Sequence, residues 1–384
     1  MSLYRFVGIL LVVSLSGCGG IIGTSTPPAF EPPRYTVAEL LSGDVDGYAR
    51  ALEPRTFAFP HDHGAQPEYA AEWWYYTGNV TDAHGHRFGF LLVFFRFGLT
   101  PDPVERESDW AASSSYMAHL AVTDVANNQY YSFERFSRGA AGLAGALGEP
   151  TYTVWLDDWR VTGENEGLPM RLRAAQAGIA IDLLLDTTRP MVFHGDQGLS
   201  QKGNAPGSAS HYYAYTRLAT TGTITIDDES YAVQGTSWFD REIGTRSLEA
   251  GVVGWDWFAL QLDDGRDLMY YRLRDADGAT TFDFGALIDA DGAYTYLTSD
   301  ELTLRELATW TSPHTGAMYP HQWQLQVPTH AIDVVVQPVI TDQELVHALA
   351  YYEGAVDVYG ANTARIGWGY VELAGYADIV RDLP

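Results

Sequence analysis

The sequence predicts an all-β protein of two domains. Three observations carry this. From about residue 70 onward, short segments rich in aromatic and β-branched residues follow one another almost without interruption. Asp-Gly pairs at 264–265, 277–278 and 291–292 mark tight hairpins between such segments. The length, 384 residues, exceeds one ordinary domain, so two are expected. Many short strands at regular spacing argue for antiparallel barrels or sandwiches.

The chain opens on MSLYRFVGILLVVSLSGCGG. Arg5 supplies a short basic region and residues 7–15 an apolar one. Leu15-Ser16-Gly17-Cys18 then matches a lipobox, so that residues 1–17 resemble a bacterial lipoprotein signal peptide. The resemblance implies cleavage before Cys18 and lipid on its sulfur. A plain signal peptide or an uncleaved anchor is the alternative, but the apolar run is short for a membrane span. Gly19 in place of Asp favours the outer membrane, facing the periplasm, by analogy with enterobacteria. Cys18 is the only cysteine, so no intramolecular disulfide forms. Residues 18–50 read as the acylated cysteine and a Gly-, Thr- and Pro-rich tether, with a short helix expected near Ala38–Leu41.

Segments 72–80, 88–99, 115–124 and 129–136 read as strands, separated by polar turn clusters. Residues 139–150, GAAGLAGALGEP, read as a small-residue loop. In 179–186, Ile179, Ile181, Leu183 and Leu185 alternate cleanly, the period of a strand with one buried face. The second half continues alike. In GWDWFALQL, Trp255 and Trp257 share one face and Phe258 and Leu260 the other. Both faces are apolar, so this strand is expected to be buried. Residues 343–356 read as a short helix or as a strand. The expected division is 51–240 and 241–384.

Composition excludes some functions. The formal net charge is −26, which argues against nucleic acid as a partner, because phosphate binding needs clustered Lys and Arg. Lys202 is the one lysine. It is read as compositional bias, with a Schiff-base nucleophile as the less favoured alternative. There is no G-x-S-x-G, H-E-x-x-H, C-x-x-C or P-loop. His61-Asp62-His63 lacks an evident third ligand and reads as a polar loop rather than a metal site. No metal or cofactor is signalled. The aromatics, with 11 Trp and 24 Tyr, suit a pocket for a hydrophobic small molecule.

Three segments carry the candidate site. They are EYAAEWWYYTGNV (68–80), HGDQGLSQKG with SHYYAYTRL (194–218), and GTSWFDREIG (235–244) followed by GWDWFALQLDDGRDLMYYRLR (254–274). Together with GYVELAGY (369–376) they resemble the carotenoid 1,2-hydratase (hydroxyneurosporene synthase) and AttH-type family over residues 55–380. The resemblance implies two lipocalin-like antiparallel barrels side by side, no cofactor, and an activity that leans to a hydro-lyase. It maps an acid to Asp240, and an upstream His and aromatic to His211 and Tyr213. Where the carotenoid enzymes carry His on either side of that acid, this chain has Phe239 and Arg241, which puts a carotenoid substrate in doubt.

Alternation places Glu72, Trp74 and Tyr76 on one strand face, His211, Tyr213, Tyr215 and Arg217 on another, and Trp238, Asp240 and Glu242 on a third. The expectation is that these faces line one barrel. Asp240, Glu242 and His211 would then be catalytic, and Glu72, Trp74, Tyr76, Tyr213 and Trp238 would bind substrate. Asp240 and Glu242 lie about 6.6 Å apart along a strand, near enough to couple. A desolvated carboxylic acid can protonate an alkene, and aromatic faces can stabilise the cation. Structural pairing of Asp240 and Glu242 with Arg217, Arg241 or Arg246 is the competing reading, with Trp73 and Trp74 as core plugs. The two function classes are a lipid-tethered enzyme acting on an unsaturated, isoprenoid-like molecule by hydration, cyclisation or hydrolysis, and a carrier that binds such a molecule unchanged.

Overall fold

A computed structural model of the chain describes residues 45–102, 108–187, 189–245 and 248–377. The lipobox cysteine Cys18, the tether, the helix expected near Ala38–Leu41, and Arg246 lie outside the described residues. Among the described residues there is no α-helix; the chain forms two antiparallel sheets of 13 and 10 strands. The all-β, lipocalin-like reading therefore holds.

Each sheet is a meander whose first and last strands pair at its centre. In the first sheet, strand Ala71–Asp82 lies between Arg87–Gly98 and Glu229–Gly244. In the second, strand Val252–Leu262 lies between Asp267–Asp275 and Arg365–Leu373. The same plan occurs twice without a visible sequence repeat. The expected division at 240/241 falls inside strand Glu229–Gly244, which stays in the first sheet to its end; the second sheet begins at Val252.

The Asp-Gly pairs do form the hairpins. Gly265, Gly278 and Gly292 have φ of 93°, 79° and 90°, the left-handed region that glycine occupies without steric cost. Residues 343–356 are extended, in strands Glu344–Val346 and Ala350–Tyr359. The small-residue stretch 139–150 contains a short strand, Ala144–Leu147.

Three apolar cores result. One fills the first sheet's curl and includes Trp74, Tyr76, Phe90, Tyr213 and Phe239. Another fills the second, with Phe258, Leu260, Trp323 and Tyr352. The third lies in the seam between the sheets, with Tyr75, Tyr212, Trp238, Trp257 and Tyr351. The central strands thus bury both faces, which is why EWWYY and WDWFALQL are aromatic or apolar on both. As expected, Trp257 faces the seam while Phe258 and Leu260 face the second core.

Polar bonds cross the seam at both ends. At one, Asp267 is held by Arg217 Nε at 2.9 Å, Arg189 Nη1 at 3.1 Å and Thr216 Oγ1 at 2.8 Å. Gln261 Nε2 donates to the carbonyls of Thr216 and Ser237 at 2.7 and 3.1 Å. Asn79 Nδ2 donates to Gly369 O at 2.9 Å, and Arg87 pairs with Asp357 at 2.9 Å. At the other the seam encloses an aromatic-walled cavity, flanked by His119 Nδ1 with Tyr351 OH at 2.6 Å, the Ala348 amide donating to Glu134 Oε1 at 3.1 Å and the Gly195 amide donating to Tyr294 OH at 2.9 Å.

Candidate functional site

Strand pairing decides which side chains meet. Residues directly opposite in an antiparallel ladder point to the same side of the sheet. Trp73 lies opposite Glu242, Tyr75 opposite Asp240 and Thr77 opposite Trp238. On the other flank Tyr212 lies opposite Glu242. These side chains face the seam. Glu72, Trp74 and Tyr76 lie opposite Ile243, Arg241 and Phe239, and His211 and Tyr213 opposite Ile243 and Arg241. These face the first barrel's interior.

The expected convergence is therefore corrected. Asp240, Glu242 and Trp238 do share a face, but Glu72, Trp74, Tyr76, His211 and Tyr213 lie on the opposite side of the sheet. Glu72 is a structural anchor: fully buried, it is paired to both Arg96 and Arg241 and accepts the Gln66 amide at 2.9 Å. The Arg241 guanidinium lies 4.0 Å from the Trp74 ring centre. Tyr76 bonds Tyr152 through their hydroxyls, and Tyr213 OH meets His63 Nδ1 at 2.9 Å. His211 Nε2 meets Tyr69 OH at 3.1 Å, and burial pushes its pKa down to about 4. Arg217 departs from its expected face as well. A bulge between Tyr215 and Leu218 breaks the alternation, and Arg217 bonds Asp267 across the seam.

The seam cavity measures about 120 Å3. An engineered cavity of about 150 Å3 accepts benzene; the seam cavity is somewhat smaller, on the scale of one small ring. The first sheet contributes Trp73, Tyr75, Tyr212, Asp240 and Glu242 to its wall; the second contributes Trp255, Trp257, Tyr271 and Glu372. Lys202 completes it from the segment between strands Leu199–Gln201 and Ala209–Ile226. Trp257 lies opposite Glu372 in its ladder, so each central strand pair presents an aromatic ring beside an acid. Trp73, Trp255, Phe95 and Phe97 are half-buried and form the rim.

Asp240 is 3% exposed. Its Oδ1 accepts Trp238 Nε1–H at 2.8 Å, and the Tyr212 hydroxyl bonds it too. Among the described residues no arginine pairs with it. Burial pushes its pKa up to about 8, with the Glu242 charge acting in the same direction and the Trp238 and Tyr212 bonds and Lys202 acting against. Burial thus favours its neutral, proton-bearing form at pH 7. Glu242, two residues away, accepts Lys202 Nζ at 2.9 Å and the Ser210 hydroxyl at 2.6 Å. Of the expected Arg partners, Arg241 belongs to Glu72 and Arg217 to Asp267, while Arg246 lies outside the described residues.

A second neutral acid faces the cavity. Burial raises Glu372 to about 8, helped by Glu242 and opposed by Trp255 and Lys202. Behind it Glu353, fully buried, is pushed well above the usual carboxyl range by burial and by Glu372; it accepts the Tyr75 hydroxyl at 2.7 Å. Sequence reasoning missed Glu372, Trp73, Tyr75, Tyr212, Trp255, Tyr271 and Lys202 as cavity residues. The uniqueness of Lys202 was the one signal in composition that pointed there. Among the described residues no cluster of His, Cys, Asp and Glu is placed to hold a metal ion.

The AttH-like family model matches residues 50–376. The crystal structure of an AttH protein from Nitrosomonas europaea is 32% identical, with a TM-score of 0.77 over 85% of this chain and 99% of its own. Kievitone hydratase from Nectria haematococca is 18% identical, with a TM-score of 0.64 over 84% of this chain and 93% of its own. CghA, solved with Sch210972, is 13% identical, with a TM-score of 0.52 over 87% of this chain and 97% of its own. The last two likenesses concern the fold. Among curated proteins the sequence finds no match.

Proposed function

The chain belongs to the AttH-like family, and from that premise we propose that it is a lipid-anchored protein of the cell envelope that adds water to an unsaturated, apolar small molecule held in the seam cavity. The observation that carries the reading is Asp240: a buried carboxyl group whose neutral form burial favours, with no arginine beside it among the described residues, facing an aromatic-walled cavity. A structural ion-pair role would put arginine beside it.

The chemistry follows from what the wall offers. Asp240 gives its proton to one alkene carbon, and its O–H bond electrons stay on the carboxylate. The positive charge left on the neighbouring carbon is stabilised by the faces of the surrounding rings, Trp257 and Tyr75 among them. Water adds to that carbon, and its surplus proton passes to the Glu242 carboxylate, which acts as the base. Transfer of that proton to Asp240 restores both groups. His211, on the far side of the sheet, takes no part. A cyclisation would use the same acid, with a second alkene in place of water. The name of one structural relative, kievitone hydratase, accords with water addition. The anchor rests on Leu15-Ser16-Gly17-Cys18.

The test is a screen of small unsaturated isoprenoids and prenylated phenols for the mass gain of one water, with binding followed in parallel by tryptophan fluorescence. Binding with no product from any ligand would replace the enzyme with a carrier.

A further inference from the structure

Lys202 is the only lysine in the chain, and among the described residues it is the only fixed cation on the cavity wall. Its side chain is 12% exposed. The ammonium lies 4.4 Å from the Tyr271 ring centre and 5.0 Å from that of Tyr212. One donor goes to Glu242 at 2.9 Å. An ammonium has three N–H donors. The ring faces take up charge without offering an oxygen lone pair, so a residue that lines the cavity keeps donor capacity beyond its bond to Glu242.

The charges on the wall narrow the ligand. Lys202 and Glu242 neutralise each other. Burial raises the carboxyl pKa of Asp240 and Glu372 and so favours their neutral forms. The wall then carries little net charge with which to draw in an ion, yet among its aromatic rings it holds a charged hydrogen-bond donor. Leaving that donor unmatched against a bound ligand is costly, while matching it with a ligand oxygen is favourable.

We propose that Lys202 is a specificity-determining residue whose ammonium donates a hydrogen bond to a carbonyl or hydroxyl oxygen of the ligand, so that the cavity selects a neutral apolar skeleton bearing one oxygen function over the corresponding bare hydrocarbon. The inference rests on the ligand-binding reading of the cavity and not on turnover. It assigns a role to the residue that composition alone made look incidental.

The probes are carvone and limonene, which share a carbon skeleton and differ by one carbonyl. Binding is measured by quenching of tryptophan fluorescence, because Trp73, Trp255 and Trp257 line the cavity. The proteins are the parent, Glu242→Gln, and the double variant Lys202→Met with Glu242→Gln. The double variant removes the ion pair as a unit and strands no buried charge; thermal melting establishes that each is folded. The expected result is a loss of carvone affinity of about tenfold or more in the double variant, the size of a hydrogen bond to a charged group. Limonene should stay within about twofold, and Glu242→Gln alone should keep carvone. In the parent, labelling lysine with 15N at Nζ gives one side-chain signal, which should move with carvone and not with limonene. Equal responses to the two probes would overturn the inference and leave the cavity reading intact. Failure of both probes to bind the parent would overturn both.

Discussion

Tyr75 lies directly across the ladder from Asp240, and its hydroxyl crosses the seam to Glu353, 2.7 Å away. One tyrosine therefore stands beside the acid of the first sheet and bonds an acid of the second. The cavity is built jointly by both sheets.

Asp240→Asn keeps the size of the side chain and an oxygen for Trp238 Nε1–H, but removes the transferable proton. Turnover should fall by roughly 10²–10⁴, the usual contribution of a general acid, while affinity for an apolar ligand stays nearly unchanged. Parallel kinetics and fluorescence titration check this. Undiminished turnover in the folded variant would remove Asp240 from the mechanism.

The same substitution should alter the pH dependence of stability. An unfolded aspartate titrates near 3.9, and the folded group near 8. Between these values the native state holds a proton that the unfolded chain has lost. The stability contribution is complete below the unfolded value and is lost as pH rises towards the folded one, at up to about 1.4 kcal/mol per pH unit. Parent and Asp240→Asn should therefore agree near pH 4, with the variant becoming the more stable by pH 8. Denaturant midpoints at pH 4, 6 and 8 measure the divergence; parallel curves would mean that the acid is not held neutral.

Glu72→Gln should act on the fold instead. It leaves Arg96 and Arg241 without their shared carboxylate inside the first barrel, and breaking such a buried pair costs about 3–5 kcal/mol. Equilibrium unfolding should show that loss. A variant as stable as the parent would contradict the anchoring role given to Glu72.

Cys18→Ser should abolish lipid attachment, whereas a 36–384 fragment should fold and remain soluble. Metabolic labelling with a fatty acid reads this directly. Label retained on the serine variant would refute the anchor.

The all-β class and the hairpins were legible in the sequence because each depends on local pattern; Asp240 was singled out by the family resemblance and by its alternation with Trp238 and Glu242. The partners of that acid were not. Alternation groups residues within a strand but does not say which faces of two strands coincide. In EWWYY both faces are aromatic, so nothing marked Trp73 and Tyr75, rather than Trp74 and Tyr76, as neighbours of Asp240. Only the pairing of Tyr75 with Asp240 settles it, and a shift of one residue exchanges the two sets. The bulge after Tyr215 redirected Arg217 for a similar reason. Residues 343–356 left helix and strand open because both faces are buried: Tyr351 lies in the seam and Tyr352 in the second core. Glu372 and Lys202 reach the cavity through contacts that lie far apart along the chain.

The polar bonds that cross the seam have a mechanical consequence. Gln261, Asp267 and Asn79 rivet the sheets at one end, and Tyr75 with Glu353, His119 with Tyr351 and Glu134 with the Ala348 amide fasten them beside the cavity. The distance between the two walls is thereby set from both sides, so that a change at Asp267 or its arginines resets the gauge of a cavity that none of them touches.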